Sequence, residues 1–302
     1  MPQAAPPLLD PETCGEDLRQ LARRMAEIAP VLCVDCAEYH VKFAMTRCIA
    51  PDKSIAVDRP LLIERIQGVL ADGSRSPEDF LQIVIAGAAD TGVLATAAHA
   101  AARLRPEIKA RCRFTVLDRC RSPLTLCAEF AEQHGLHVET RQVDLPEGAA
   151  HVDADLIIAH SFLRFIDRNG QTALLRKFDT WLKPQGRIIV SQSVRPPDPA
   201  HFAKESQRLQ HSLAEAQAAV SKGEIAIAED AARMLRKMHE SGEAYLVQPG
   251  EIGSVEELRD LMLGAGLREY SIDVRSKQLA SAGNNTFERV RVVAVFGSGR
   301  ES

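Results

Sequence analysis

A bend made of small residues follows the first buried strand that the sequence predicts. The strand covers residues 82–86 and includes the apolar run Ile83-Val84-Ile85. The bend after it consists of Gly87, Ala88, Ala89, Asp90, Thr91 and Gly92, and a long Ala/Leu/Val segment with helical spacing comes next. Small residues let a ligand approach the backbone, and the first N–H groups of the following helix point toward it. The bend is therefore the first candidate binding site.

The sequence predicts helices in the segment before this strand. Apolar residues recur at three- and four-residue steps from residue 12 to about residue 70. Pro30 is expected to end the first helix, and a second helix is expected over roughly 31–49. The segment Asp58-Arg59-Pro60 is typical of a capped helix start and predicts a third helix. We therefore predict an N-terminal helical region over 1–78, lying on the substrate side as a cap.

Short apolar strands alternate with helices from residue 80 onward. Four more strands are predicted, at 113–118, 137–140, 154–159 and 186–191. This alternation predicts a doubly wound parallel sheet in an α/β fold. Residues 199–240 interrupt it with two amphipathic helices, which we interpret as a lid after the fifth strand, with a plain helical decoration as the alternative. A helix at 254–264 and two strands joined at 281–285 predict an antiparallel C-terminal hairpin.

Composition excludes several classes of protein. The 302 residues include 37 Lys and Arg against 41 Asp and Glu, a net charge of −4, which argues against binding to nucleic acid or to a membrane surface. No apolar run approaches the roughly 20 residues that span a bilayer, and no signal sequence is recognised. Seven cysteines, an odd number, are typical of reduced thiols. We expect a cytoplasmic protein, and a homodimer is left open.

The motifs in this order resemble those of the class I S-adenosylmethionine (SAM)-dependent methyltransferases. The matching segments are IVIAGAADTG (83–92), VLDRC with Asp118, QVDL with Asp144 and LKPQGRIIV (182–190). The resemblance covers roughly 80–198 and 250–297. It implies a Rossmann-like seven-stranded sheet, a methyltransferase domain over 79–302, and SAM as cofactor.

The resemblance also implies roles for individual residues. The cofactor's methionine part would lie on the bend, Asp118 would accept both ribose hydroxyls with Arg119 beside it, and Asp144 would accept the adenine amino group with Leu145 over the ring. The expected cofactor residues are thus Gly87, Ala88, Ala89, Asp90, Gly92, Asp118, Arg119, Asp144, Leu145 and His160. His160, just past the fourth strand, is the candidate general base for a hydroxyl acceptor, and Ser161 is a candidate substrate contact.

Cysteines and a histidine in the second predicted helix have the spacing C-x2-C-x3-H-x7-C, at Cys33, Cys36, His40 and Cys48. This pattern is typical of zinc ligands. On one straight helix, however, these side chains would spread over roughly 20 Å, too far for one ion. We therefore predict no metal. Instead, Tyr39, His40 and Arg47 are expected to face the cofactor or the substrate, Arg47 by pairing with a carboxylate.

These observations predict an enzyme that transfers a methyl group from SAM to a small molecule by in-line displacement, with oxygen slightly preferred over nitrogen as acceptor. Two departures from the family, Ile85 and Ala89, keep a non-catalytic binding or scaffold protein of the same fold as an alternative. A dinucleotide-dependent oxidoreductase is the third candidate. It fits less well, because only the outer glycines of G-x-G-x-x-G are present and Asp90 would lie beside the phosphates.

Overall fold

The computed structural model describes residues 7–33, 35–50, 55–72, 79–148, 151–195, 198–240, 248–280 and 286–300. The predicted hairpin tip at 281–285 lies outside these ranges. Among the described residues, no helix combines the length and the apolar character needed to cross a membrane. All seven cysteines are described, and none forms a disulfide bond.

Seven strands form one sheet in the order β3-β2-β1-β4-β5-β7-β6. Strands β1 to β5 run parallel, whereas β7 pairs antiparallel with both β5 and β6. The strands are β1 Leu81–Ala86, β2 Cys112–Asp118, β3 Val138–Gln142, β4 Ala154–His160, β5 Leu182–Val194, β6 Leu267–Ala280 and β7 Thr286–Ser298. The predicted doubly wound sheet with an antiparallel C-terminal hairpin is confirmed.

Helices cover both faces of the sheet. They are α1 Leu18–Leu32, α2 Ala37–Ile49, α3 Ile55–Leu70, α4 Gly92–Ala102, α5 Pro106–Lys109, α6 Arg121–His134, α7 Arg168–Trp181, α8 Pro199–Ser221, α9 Glu229–Glu240 and α10 Val255–Gly264. One core lies between the sheet and α3, α4 and α6, and a second lies between the opposite face and α7 and α10. Because both faces are covered, β1 and β4 are apolar along almost their whole length.

Helices α1, α2, α8 and α9 form a third apolar core, the side core. The predicted two-helix insertion is present as α8 and α9, and its apolar faces pack against α1 and α2. Helix α3 is different, because it packs on α4 and on the strands. The N-terminal segment therefore contributes two helices to the side core and one to the layer over the sheet. The lid role of the insertion stays a prediction.

Two helix boundaries differ from the predictions. Pro30 lies inside α1 rather than ending it, and α1 ends at Leu32, whereas α2 begins only at Ala37. Helix α3 begins at Ile55, which places Asp58 and Pro60 within its first two turns. Pro60 is the sixth residue of α3, beyond the first turn in which the missing N–H of a proline has no consequence, so it removes one hydrogen bond of the helix. Asp58 is not a cap, because its buried carboxylate binds residues on the strands.

Candidate functional site

The small-residue bend joins β1 to α4 at the carboxyl edge of the sheet. Gly87 has φ +77°, a left-handed conformation that glycine adopts without strain. Its N–H donates to the Leu117 carbonyl at 2.9 Å, which ties the bend to β2. A Cβ atom on Gly87 would lie 2.6 Å from Cγ of Phe162. Glycine is therefore required here by the backbone conformation and by Phe162, which packs directly on the bend.

Asp118 is the last residue of β2, and its carboxylate is hydrogen-bonded to the small-residue bend. Its Oδ2 accepts the Ala88 N–H at 2.8 Å, and its Oδ1 accepts the Cys120 N–H at 2.7 Å. Burial raises the pKa of Asp118 above its ordinary value, although the two N–H donors act in the opposite direction. Ala88 is buried and Ala89 is half-buried. The structure thus brings Gly87, Ala88 and Asp118 together, as the sequence predicts.

The segment after β3 carries the predicted adenine contacts. Asp144 is exposed, whereas Leu145 is buried in the core beneath it. Lys177 of α7 donates hydrogen bonds from Nζ to three backbone carbonyls in this turn, those of Leu145, Pro146 and Gly148, at 2.8–3.0 Å. The exposed Arg119 lies next to Asp118 in sequence, and the charge of Asp144 acts on it. Lys177 therefore fixes the turn that would hold an adenine ring.

A buried ion cluster, defined as Glu16, Arg47, Arg59 and Asp90, joins the N-terminal helices to the bend. Arg47 forms ion pairs with Glu16 and, at 2.6 Å, with Asp90, and Arg59 binds Glu16 at 2.7 Å. Burial alone would raise the pKa of Glu16, but the charges of Arg47 and Arg59 lower it below its ordinary value. Two cations face two anions, so the cluster is neutral and each charge has a partner.

The ion cluster changes the expected roles of three residues. Arg47 is 3% exposed and is held by protein carboxylates, so it does not present a free guanidinium to a substrate carboxylate. Asp90 accepts the Gly92 N–H at 2.8 Å in addition to Arg47, so it stabilises the bend. A Cβ atom on Gly92 would lie 3.1 Å from the Arg47 guanidinium. The observed contacts of Arg47, Asp90 and Gly92 are therefore within the protein, and contact with a ligand would require displacing them.

A second polar network surrounds the end of β4. The His160 network consists of Asp58, His160, Ser161, Ser191, Ser193 and Arg291. The Arg291 guanidinium binds the Asp58 carboxylate through both Nε and Nη2, and its Nη1 donates to Ser161 Oγ at 3.0 Å. His160 Nε2 lies 3.1 Å from Asp58 Oδ2 and 3.2 Å from Arg291 Nη2. Asp58 on α3 and Arg291 on β7 thus fix the imidazole at the carboxyl edge.

The charge state of His160 follows from this environment. Burial lowers the pKa of His160 below its ordinary value and the Arg291 charge acts in the same direction, while Asp58 opposes both. For Asp58, burial would raise the pKa, but Arg291 and His160 lower it below its ordinary value. His160 is therefore neutral at pH 7 and able to accept a proton. Ser161 has φ +57°, a left-handed conformation that is uncommon outside glycine and that often marks functional sites.

The two aromatic residues predicted to face a ligand lie on the first turn of α2. Tyr39 stacks on Phe43 and meets Phe165 edge to face, with ring centroids 6.0 and 5.7 Å apart. His40 is buried, and neither of its ring nitrogens has a hydrogen-bond partner among the described residues. Burial lowers the pKa of His40 to about 4, against the opposing influence of the Ala89 backbone and the Asp90 charge. Tyr39 is half-buried and remains a candidate substrate contact.

Sequence reasoning missed several residues that build these networks, namely Glu16, Asp58, Arg59, Cys120 and Arg291. A signal was present for one of them. Arg291 interrupts the run Val290, Val292 and Val293 in the long, β-branched second strand of the predicted hairpin. A buried arginine needs a carboxylate partner, so Arg291 could have been recognised as half of an ion pair. Its partner Asp58 is 233 residues away, and no sequence pattern points to it.

No family model matches this sequence, and no curated protein matches it. Among solved structures, the chain is similar to one reported for the conversion of a disulfide bond into a thioacetal group during echinomycin biosynthesis. The identity is 17%, the TM-score is 0.48, and the match covers 80% of this chain and 82% of that chain. A SAM-dependent methyltransferase from Methanosarcina mazei is 14% identical, with a TM-score of 0.45 and coverages of 72% and 93%. The mitomycin 7-O-methyltransferase is 16% identical, with a TM-score of 0.46 and coverages of 96% and 73%.

At identities of 14–17% and TM-scores below 0.5, these likenesses carry no argument about this chain. The strand order and directions of the sheet, with five parallel strands followed by an antiparallel pair, are those of the class I SAM-dependent methyltransferase fold that the sequence motifs predict. The binding and catalytic roles of the residues at its carboxyl edge are a separate question, to be answered from their contacts.

Proposed function

We propose that this protein is a SAM-dependent methyltransferase that acts on a small-molecule acceptor, with oxygen as the preferred acceptor atom. The observation that carries the proposal is the Asp118 carboxylate beside the small-residue bend. Its two oxygens offer about four acceptor positions, of which the Ala88 and Cys120 N–H groups occupy two. Two positions therefore remain for the two hydroxyls of a ribose. The Asp144 turn, held by Lys177, lies next along the same edge.

Methyl transfer from a sulfonium needs alignment of donor and acceptor and exclusion of water more than it needs acid–base chemistry. A hydroxyl acceptor must also lose a proton, which requires a neutral base within reach. His160 is neutral, and with its proton on Nε2 directed to Asp58, its Nδ1 can accept a proton. This pairing of a buried carboxylate with an imidazole supports the preference for oxygen.

A non-catalytic protein of the same fold is the second candidate, and two contacts favour it. Phe162 packs on Gly87, and Arg47 engages Asp90, so two positions of the bend where the methionine part of SAM would lie are in contact with protein side chains. A scaffold protein would bind neither SAM nor its demethylated product, S-adenosylhomocysteine. An NAD(P)-dependent oxidoreductase would bind a nicotinamide cofactor instead.

Calorimetry with SAM, S-adenosylhomocysteine and NADH separates the three candidates. We expect the wild-type chain to bind the first two and not NADH. Asp118→Ala should weaken binding of S-adenosylhomocysteine by about 5- to 150-fold, equivalent to about 1–3 kcal/mol for hydrogen bonds to a charged group. Asp153→Asn, which changes an exposed carboxylate in the loop before β4, is the matched control and should bind like the wild type.

The proton-transfer step has its own test. His160→Gln should leave the affinity for S-adenosylhomocysteine unchanged while slowing methylation of a panel of hydroxylated acceptors, measured as formation of S-adenosylhomocysteine. Absence of binding by the wild type would refute the cofactor assignment. Normal turnover by His160→Gln would refute only the role of His160 as base.

A further inference from the structure

Four metal-ligating side chains meet where the N-terminal helices contact the carboxyl edge of the sheet. Cys33 follows the last residue of α1, Cys36 precedes the first residue of α2, His40 lies one turn into α2, and Cys120 precedes α6. We define these four residues as the thiol cluster. Their sulfur and nitrogen ligand atoms all lie within 4.8 Å of one another. Two separate parts of the chain therefore converge on a space of the size of one ion.

The composition of the thiol cluster is that of a structural zinc site. Zinc binds three cysteines and one histidine in a closed tetrahedron, with Zn–S distances of about 2.3 Å and Zn–N distances of about 2.0–2.1 Å. Such a tetrahedron separates its sulfur atoms by about 3.8 Å. The Sγ atoms of Cys36 and Cys120 are 3.2 Å apart, well beyond the roughly 2.05 Å of a disulfide bond. Small side-chain rotations would bring all four ligands to tetrahedral distances.

A second and independent observation points to a ligand at this place. His40 is 2% exposed, and neither of its ring nitrogens forms a hydrogen bond of normal geometry with a described residue, although the Ala89 backbone is near enough to oppose the lowering of its pKa. A buried polar group without a hydrogen bond is energetically costly, so native proteins rarely leave one. Coordination of one ring nitrogen by a metal ion removes much of this cost. A disulfide between Cys36 and Cys120 would leave His40 as it is.

The surroundings of Cys33 suit a thiolate. Its Sγ accepts hydrogen bonds from Ser122 Oγ at 3.0 Å and from the Ser122 N–H at 3.4 Å. Donors of this kind orient and stabilise metal-bound thiolates from the second shell. The charge of Arg119 acts on both Cys36 and Cys120, so it would partly offset the single net negative charge of one Zn²⁺ with three thiolates and a neutral imidazole, whereas the charge of Asp118 acts on Cys120 in the opposite direction.

We propose that Cys33, Cys36, His40 and Cys120 bind one Zn²⁺ ion in a closed, structural site. Binding replaces the three thiol protons by the metal ion and releases them to solvent. Because all four coordination positions are filled by protein, the ion has no open position for a substrate. Its role is to fix the corner between α1 and α2 to the start of α6, two residues after Asp118. The site does not depend on the proposed function.

The structure also explains why the sequence predicted no metal. That prediction assumed one continuous helix with Cys48 as the fourth ligand. Instead, α1 ends at Leu32 and α2 begins at Ala37, so Cys33 and Cys36 do not lie on one continuous helix with Cys48, and Cys48 lies outside the thiol cluster. The fourth ligand comes from a position 84 residues after Cys36.

The test is the metal content of the full chain, purified without an affinity tag and measured by plasma mass spectrometry. We expect about one zinc per chain for the wild type. Cys36→Ser, Cys120→Ser and His40→Gln should each lose most of it. Two matched controls should keep it: Cys48→Ser, on the same helix as His40, and His211→Gln, an exposed histidine on α8.

Cobalt substitution of the wild-type chain keeps the test decisive if a variant fails to fold. Co²⁺ bound by three thiolates in a tetrahedral site gives a thiolate-to-cobalt charge-transfer band and intense visible absorption, and Zn²⁺ should abolish both. A wild-type chain that holds no zinc and gives no such spectrum would overturn the proposal. So would a mass 2 Da lower than that of the reduced chain, which indicates a disulfide bond, or iron with acid-labile sulfide in place of zinc.

Discussion

The ion cluster and the thiol cluster both connect the N-terminal helices to the carboxyl edge of the sheet, but they differ in how far their polar groups are satisfied. In the ion cluster, Glu16 accepts hydrogen bonds from Arg47, Arg59 and Thr91, and Asp90 accepts from Arg47 and Gly92. In the thiol cluster, the His40 ring forms no hydrogen bond of normal geometry with the part of the chain that the structure describes, and the sulfur atoms of Cys36 and Cys120 are in close contact. The polar groups of the ion cluster are paired within the protein, whereas those of the thiol cluster would be paired only with a bound metal ion.

This difference shows how buried polar groups distinguish a structural contact from a binding site. Charges buried in pairs neutralise one another and need nothing further. Thiols and an imidazole gathered in one buried space form only weak hydrogen bonds with one another, and a bound cation would satisfy them better. The backbone near Glu16 supports its purely structural role, because Cys14 has φ +51° and Gly15 has φ +80°, a tight bend that turns Glu16 inward.

Breaking the ion cluster should have the largest effect. Glu16→Gln leaves Arg59 without its buried ion-pair partner, and we expect the free energy of unfolding to fall by about 3–5 kcal/mol, the cost of breaking a buried pair. Urea denaturation followed by circular dichroism measures it. Glu129→Gln, which breaks an exposed pair with Arg24, is the control and should change stability by about 1 kcal/mol or less. Equal effects of the two substitutions would show that the ion cluster adds nothing beyond a surface contact.

Removing the metal should have the next largest effect. A strong chelator should lower the free energy of unfolding by about 3–4 kcal/mol relative to protein in free zinc at about 100 to 1,000 times the dissociation constant. The chelator should lower the free energy of unfolding of the control Cys48→Ser by the same amount as that of the wild type. The double variant Cys36→Ser/Cys120→Ser should unfold identically with and without chelator. Identical unfolding of the wild type in chelator and in free zinc would mean that the thiol cluster, like the ion cluster, needs no metal ion.

The smallest expected effect on the free energy of unfolding comes from protonation of His160. The His160 network resembles the ion cluster because its polar side chains have partners, but it contains a histidine that titrates. The folded-state pKa of His160 is lowered, so the unfolded chain takes up a proton first as the pH falls. Neutral His160 therefore contributes fully to stability above about pH 6.5, the pKa in the unfolded chain. As the pH falls below that value, the free energy of unfolding decreases by at most about 1.4 kcal/mol per pH unit. The decrease stops at the pKa of His160 in the folded protein.

Measurements of the unfolding free energy between about pH 7.5 and about pH 5 check this expectation, because this range includes the ordinary histidine pKa of about 6.5. His160→Gln should depend less steeply on pH than the wild type, while the exposed His211→Gln should follow the wild type. If His160→Gln keeps the wild-type slope, the imidazole is not held neutral by burial beside Arg291.

Much of the fold could be predicted because it rests on local patterns. The alternation of apolar strands with helices gave the sheet, and Ser254 caps α10 as its sequence indicates, accepting the Glu257 N–H at 3.0 Å. Helix boundaries near proline were less predictable. Asp58-Arg59-Pro60 has the composition of a helix start, yet Asp58 lies inside α3, because its carboxylate gains more from Arg291 than from backbone N–H groups at a cap.

Less of the candidate site could be predicted. Asp118, His160 and the bend lie at the carboxyl edge because parallel strands bring their ends together, and this follows from the strand pattern alone. Which protein groups each residue binds does not follow from it. Arg47 has the spacing of a ligand contact, but its position beside Glu16 and Asp90 depends on how α2 packs on the sheet.

The sequence by itself determined the α/β class, the small-residue bend and the acidic residue that ends the second strand, since these depend on hydrophobic periodicity and on residues within a few positions of one another. Tertiary structure alone decided that Asp58 meets Arg291 and that Cys33 and Cys36 meet Cys120. The physical reason is that contacts between distant residues are set by the packing of helices on strands. No periodicity in the chain encodes them, although they determine which charges are neutralised and which ligands are left for a metal ion.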